Sequence, residues 1–444
     1  MTTFDYVMVG KALRNKRKEK RLRIEDLADE NISTSTISNI ERGHHSVTPE
    51  KVEYYGEKLD IQLQDFAQLV QQIHETDANT DFILYTIQNT LDLGSPREQK
   101  KAIKKRLETL KIKENTPHYV VKLFLKGRYH MINRSMTQAI NCLTDAIRFS
   151  DDFPILTKMN IKALSYYDLG RTHHYLNSFE SAICYAEMGM QCYNPDGEVK
   201  TIIYSLKISQ VIYYERLDNI EAALKIIHEL WKEKEFIQNK FVQLSMYEVK
   251  SKILKRQKMY DEAIAVAREG IELARINLIH ERAFELWLTL ASIYLHQEQL
   301  TVAENCLITA DSFKENVGNN YLLISLHTFF AVLYLKQDRS QEAHTSAQEA
   351  VRLGEETNDA PRLTLALISL GDCLQMNRQY EEAVTTYQRA LDIANFHEFK
   401  PHQHVTLMEL NKCLKHVDRI AYTQNLEKLL ELNLQLSDSR LMLI

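Results

Sequence analysis

The feature that most constrains this chain is a repeat of about forty residues. Alanine recurs at Ala139, Ala182, Ala223, Ala263, Ala303, Ala343 and Ala383, in steps of 43, 41 and then four of 40. Twelve residues before each stand Gly127, Gly170, Val211, Ser251, Ala291, Ala331 and Gly371. Seven after each stand Ala146, Gly189, Leu230, Gly270, Ala310, Ala350 and Ala390. At both positions six of the seven residues are small. Small side chains at fixed spacing let helix axes approach closely. A two-helix hairpin cannot bury both its faces unless neighbours stack on it. The expectation is an all-α solenoid over 81–444, with clear repeats over about 120–400 and a capping hairpin at 403–436. Only 12 glycines and 7 prolines occur in 444 residues, which suits long uninterrupted helices.

The stretch "LISLGDCLQMNRQYEEAVTTYQRALDIA" sets Gly371, Leu374, Tyr380, Ala383, Tyr387 and Ala390 at the spacing of a tetratricopeptide repeat. Trp287, sixteen before Ala303, stands where that consensus prefers tryptophan. The array resembles a tetratricopeptide solenoid, which implies a right-handed superhelix. Residues 81–113 read as an imperfect hairpin that turns at "LGSPRE", with Pro96 opening its second helix.

Residues 1–70 lack the repeat and read as five short helices at about 6–20, 24–30, 34–42, 48–58 and 62–72, followed by a linker at 71–80. The chain carries a net charge of -5, yet Lys11, Arg14, Lys16, Arg17, Lys18, Lys20, Arg21 and Arg23 are opposed only by Glu19. The segment from Leu22 to Ile61 resembles the Cro/C1 (XRE) helix-turn-helix through Leu27 and Ala28, the turn residue Ile32, the capping Ser33 and the run "STISNIERG". That resemblance implies a five-helix DNA-binding domain. Thr34, Ser35, Thr36, Ser38 and Asn39 then read base edges, with Arg42 beside them. Ile37 and Ile40 face the core, and Arg14, Lys16, Arg17 and Lys18 hold phosphates. Ile24 stands where relatives often carry glutamine. Asn31 replaces the usual turn glycine and tolerates a left-handed backbone.

A helix-turn-helix of this class followed by a tetratricopeptide array resembles the RRNPP family of Gram-positive bacteria, closest in length and period to its NprR and PlcR branches. The resemblance implies a quorum-sensing transcription regulator. It would be a cytoplasmic homodimer or higher oligomer that binds double-stranded DNA and holds a short signalling oligopeptide in its concave groove. First helices line such grooves. Positions about 18, 15, 11 and 8 before each ruler alanine include Arg128, Tyr167, Arg171, His174, Glu215, Glu248, Lys252, Glu285, Ser292, Asp372 and Gln375. Asn411 falls where an eighth repeat would put its small residue. An extended peptide needs such polar groups once water leaves its backbone. Arg128 and Arg171 can hold a carboxylate. The alternative is an interaction module that sequesters or modulates a response regulator, with or without peptide.

The six cysteines are scattered without a CxxC pair, as expected of reduced thiols in the cytoplasm. No apolar run approaches the roughly 20 residues of a membrane span, so no membrane partner is expected. There is no Gly-rich phosphate loop, nucleophile elbow or HExxH, and the paired histidines lack convergent partners. The expectation is a non-enzyme without cofactor or metal.

Overall fold

The computed structural model describes residues 6–93, 97–318 and 320–441, and their side chains apart from those of 63–64, 72–76, 97–100, 320 and 434–441. All regular structure among the described residues is helical. The chain divides into two compact units, Met1–Leu125 and Lys126–Ile444.

The first unit contains α1 (Tyr6–Glu19), a 3₁₀ turn at Glu25–Leu27, α2 (Thr34–Glu41), α3 (Pro49–Glu57), α4 (Leu63–Asp92), α5 (Arg97–Thr109) and the start of α6 (Pro117–Ile132). Val9, Leu13, Ile32, Ile37, Ile40, Tyr55 and Leu59 form its core. α1 crosses α2 at Gly10, where a Cβ would lie 2.1 Å from the Ile40 carbonyl oxygen. Three sequence expectations change here. The helix expected over 24–30 shrinks to the 3₁₀ turn, because Asp26 accepts from the Arg23 N–H and Asp29 from those of Asn31 and Ile32. Such short acidic side chains compete with helix carbonyls for the backbone. Asn31 is not left-handed. The linker expected at 71–80 lies inside α4, since residues 63–92 contain neither glycine nor proline and polar composition alone did not break the helix. Pro96 lies outside the described residues.

In the second unit α6 pairs with α7 (Met136–Ser150), and a short α8 (Pro154–Lys158) follows. Six more hairpins come next: α9 (Ile161–Tyr175) with α10 (Phe179–Gln191), α11 (Ile202–Arg216) with α12 (Ile220–Lys232), and α13 (Lys240–Arg256) with α14 (Tyr260–Ile276). They continue through α15 (His280–His296) with α16 (Leu300–Asp311), α17 (Asn320–Lys336) with α18 (Ser340–Thr357), and α19 (Ala360–Met376) with α20 (Tyr380–Phe396). α21 (Lys400–Val417) and α22 (Arg419–Leu441) close the array.

All seven ruler alanines are 0% exposed. A Cβ on Gly371 would lie 2.5 Å from the Tyr387 ring, and the Ser251 hydroxyl donates to the Ala263 carbonyl at 2.8 Å. First and second helices differ in how they bury residues. α12 buries the stripe Ala223, Ile227 and Leu230, whereas α11 buries Ser205, Leu206, Ile208, Ser209, Gln210, Val211 and Tyr213 around its circumference. A helix buried on one stripe lies outside; one buried all round lies inside. Consecutive first helices touch, from α9 to α11 through α19 to α21.

The second unit curls far enough to meet itself. The Asn177 side chain donates to the Asn358 carbonyl at 3.1 Å. Phe179 packs with Ala360, Ala394 and Phe399, its ring 5.8 Å from that of Phe399. The turn of the second hairpin therefore abuts the start and end of the seventh, and the inner helices surround a closed interior.

Each hairpin turns through a left-handed residue five positions before its ruler alanine: Arg134, Asn177, Asp218, Lys258, Glu298, Asp338 and Arg378, with φ between 58° and 63°. Asparagine and aspartate tolerate this backbone; lysine and arginine do so at a cost. Lys258 is exposed. Lys258→Gly is expected to stabilise the protein by about 0.5–1 kcal/mol, the left-handed cost less glycine's entropy. A melting temperature at or below that of the wild type would contradict this account of the turn.

Candidate functional site

In the first unit the candidate recognition helix is α2. Ser33 caps it by accepting from the Thr36 N–H, and its hydroxyl lies 2.9 Å from those of both Ser35 and Thr36. Thr34, Ser35 and Arg42 are exposed, while Thr36, Ser38 and Asn39 are half-exposed. Ile37 and Ile40, buried, leave this polar face outward.

The basic residues of α1 separate into two roles. Arg14 and Lys18 are exposed, and Lys16 lies 3.6 Å from Glu19. The neighbouring Arg14 charge, with some burial and Lys113, holds the Lys18 ammonium below its usual range. Lys113, which the sequence did not single out, donates to Asn15 at 2.9 Å and joins this cationic surface. Arg17 is a correction. It is 8% exposed and grips Glu41 through Nε at 2.6 Å and a terminal nitrogen at 2.9 Å, while Tyr55 donates to the same carboxylate at 2.6 Å. Burial opposes the Glu41 charge, but Arg17 and Tyr55 hold its carboxyl below the usual range. Arg17 thus ties α1 to the end of α2 and is not a phosphate ligand.

In the second unit most sequence candidates lie on the inner helices, paired within a helix or across hairpins. Arg128 is buried against Asp168 at 2.8 Å, so its carboxylate is an internal one and it is withdrawn as a ligand group. Arg171 lies 3.4 Å from the same Asp168 and stacks over Tyr167. Lys252 bonds Glu248 at 2.5 Å, and Arg282 reaches both Glu285 at 2.5 Å and Glu248 at 3.5 Å. Burial, with Glu248 nearby, pushes Glu285 up to about 7 against the pull of Arg282. Arg256 pairs with Asp218 and lies 3.8 Å from Glu215; Arg362 pairs with Asp359. Two cations remain. Lys255 donates only to the Ser292 hydroxyl, at 3.2 Å, and burial beside Lys252 and Arg256 brings it down to about 8. Arg216, half-buried, makes no hydrogen bond or ion pair, and its Nε is buried without a partner.

His174 lies against Tyr213 and Phe179, each ring 5.5 Å away. Burial, with Arg216, Arg362 and Arg171 around it, brings its imidazole down to about 3 despite Asp359. His402 packs on Phe399 at 5.7 Å, its Nδ1 unpartnered; burial and the charges of Arg216 and Arg256 bring it down to about 4 against Glu215. Sequence reasoning missed Arg216, Arg282, Asp359, Arg362 and His402.

Asp372 and Gln375 fall elsewhere. Both accept from the Tyr387 hydroxyl, at 2.5 and 3.1 Å, and with Glu409, Lys412 and His416 they line an open pocket of about 470 Å³. Asn411 is buried, its Oδ1 without a partner.

Two measurements test these environments. Arg17→Met removes the two short bonds to buried Glu41, leaving it the Tyr55 hydroxyl and Arg14 at 3.8 Å, and is expected to destabilise the first unit by about 3 kcal/mol. A cost below about 1 kcal/mol, seen in the exchange rates of α2 amides, would return Arg17 to the surface. His174 and His402 have depressed folded values, so their stabilisation is complete above the unfolded value near 6.5 and is lost as pH falls from there toward 4. The melting temperature should drop on acidification from pH 7 to 5, and drop less in a His174→Gln/His402→Gln variant. An identical slope would show that neither imidazole is neutralised by the fold.

Known proteins support these two architectures separately. Residues 13–66 match the helix-turn-helix family model, and residues 244–277 and 321–395 match tetratricopeptide repeat models. No curated protein matches the sequence. The structure is similar to a Rap protein solved with competence and sporulation factor (TM-score 0.59, 11% identity, 81% of this chain and 99% of that one). It is also similar to the Rap conjugation gene regulator of plasmid pLS20 solved with the Phr* peptide (TM-score 0.53, 12% identity, 81% and 96%). A third likeness is to aspartyl phosphate phosphatase F of Bacillus subtilis (TM-score 0.51, 12% identity, 88% and 94%). At such identities the likeness is one of fold. No described helix is long and apolar enough to cross a membrane. The chain is a helix-turn-helix protein with a tetratricopeptide array, on a fold shared with the Rap proteins.

Proposed function

We propose that this chain is a transcription regulator of the RRNPP type, a homodimer whose DNA binding is set by a short signalling peptide held inside the repeat array. One observation carries the reading. A closed interior lined with charged and polar side chains, including an unpartnered Arg216, sits on the same chain as a capped helix-turn-helix with an outward polar face. One Rap protein of similar fold was solved with competence and sporulation factor and another with the Phr* peptide, which supports a peptide as the ligand of the array. Arg171, Tyr167, Glu215, Glu248, Lys252 and Glu285 remain its candidate contacts. Thr34, Ser35, Thr36, Ser38, Asn39 and Arg42 are the candidates for base reading, with Arg14 and Lys18 on phosphates.

A second reading is favoured by the likeness to aspartyl phosphate phosphatase F: the array docks a response regulator. The two readings separate in one experiment. Synthetic peptides encoded by small open reading frames beside the gene are screened by thermal shift and light scattering, with DNA footprinting of wild type and Asn39→Ala. A peptide that raises the melting temperature and changes assembly size or footprint supports the first reading, because only a native-state ligand stabilises this way. Asn39→Ala should weaken specific DNA binding by about 1–3 kcal/mol. Silence of every peptide, with capture of a response regulator by the array, would transfer the case to the second.

A further inference from the structure

Closure of the array brings together groups that no local stretch of sequence associates. Arg216 ends α11, Arg362 stands in the first turn of α19, and His402 in the first turn of α21. The contact of Asn177 with Asn358 and the packing of Phe179 on Phe399 draw these helix ends to one side of the interior. His174, between Tyr213 and Phe179, completes the wall.

The hydrogen bonds there are incomplete. Asp359 is taken by Arg362, and Glu215 lies nearest Arg256. Against burial, the charge of Arg216 helps hold the carboxyls of Glu215 and Asp359 below their usual range, yet Arg216 hydrogen-bonds neither, and its Nε is buried without a partner beside His174 and His402. A buried guanidinium N–H without a partner is costly, and a fold that kept one only for packing could use a hydrocarbon of the same length. The imidazole Nδ1 of His402 is likewise buried and unpartnered. The missing component has the chemistry of a small planar anion, to which a guanidinium offers parallel donors.

We infer that Arg216 anchors a carboxylate of the ligand at the seam where the array closes, within the wall formed by His174, Arg362 and His402. This rests on the peptide reading for the source of the carboxylate, either the peptide's C-terminus or an acidic side chain. The site itself stands on the unpartnered Nε of Arg216.

The test has two arms on the full-length protein. In the first, protein labelled with ¹⁵N-arginine is titrated with sodium acetate, against sodium chloride as an ionic control. The Arg216 Nε signal, assigned by its loss in Arg216→Gln, should shift with acetate and not with chloride. In the second, peptides that raise the melting temperature are made as free acids, as C-terminal amides, and with Asp or Glu replaced by Asn or Gln. One replacement should weaken binding about tenfold or more, as for a charge-assisted hydrogen bond, and Arg216→Gln should bind both forms alike. Which replacement matters tells terminus from side chain. An unmoved Arg216 signal, or a peptide whose affinity survives every replacement, overturns the inference. An acetate shift with no active peptide keeps the carboxylate site and removes the peptide as its source.

Discussion

The array depends on how closely two helices approach inside each hairpin. Every ruler alanine is fully buried, and the residue twelve before it is small in six hairpins of seven. Where it is glycine, as at Gly371, the partner ring of Tyr387 occupies the space a Cβ would need. Where it is Ser251, the hydroxyl bonds the facing helix's carbonyl and turns proximity into a hydrogen bond. Close approach wraps each first helix in its own second helix and in both neighbouring hairpins. Polar residues on first helices are consequently buried, and the fold has to pair them: Arg128 with Asp168, Lys252 with Glu248, Arg282 with Glu285.

That constraint explains what the sequence disclosed. A strict forty-residue step fixes which residue faces which within a hairpin, so the register was readable from Ala263, Ala303, Ala343 and Ala383 alone, while the inner place of first helices came from the tetratricopeptide resemblance. Closure of the array was not readable. It depends on a small rotation accumulated over hairpins until Asn177 meets Asn358, and no local pattern records such a sum. The candidate positions were taken at offsets of about 18, 15, 11 and 8 before each ruler alanine, and the groups at the seam, Arg216, Arg362 and His402, fall at other positions.

In the first unit the error was of a different kind. A run of lysine and arginine suggests a solvated face, but an α-helix distributes a run around its axis. Val9, Leu13 and Arg17 follow one another at four-residue spacing, so Arg17 lies on the apolar stripe that its neighbours leave. Glu41, at the end of α2, is the partner that makes its burial tolerable. The same periodicity that identified the core would have assigned Arg17 to it. The shortened second helix follows from Asp26 and Asp29, whose side chains offer the backbone an alternative to helical hydrogen bonds.

Closure and charge meet at one place. The seam is held by one side-chain hydrogen bond and a small apolar cluster around Phe179 and Phe399. Beside it, against burial, Arg362 and Arg216 both hold the Asp359 carboxyl below its usual range, and burial among these charges keeps His174 and His402 neutral. Contacts of that size contribute about a kcal/mol each, so a single charge gained or lost beside them is of comparable weight. An anion seated on Arg216 would add a charge-assisted hydrogen bond next to the seam, and protonation of either imidazole would add a cation there. First helices that touch in succession from α9 to α21 join that place to the rest of the inner wall.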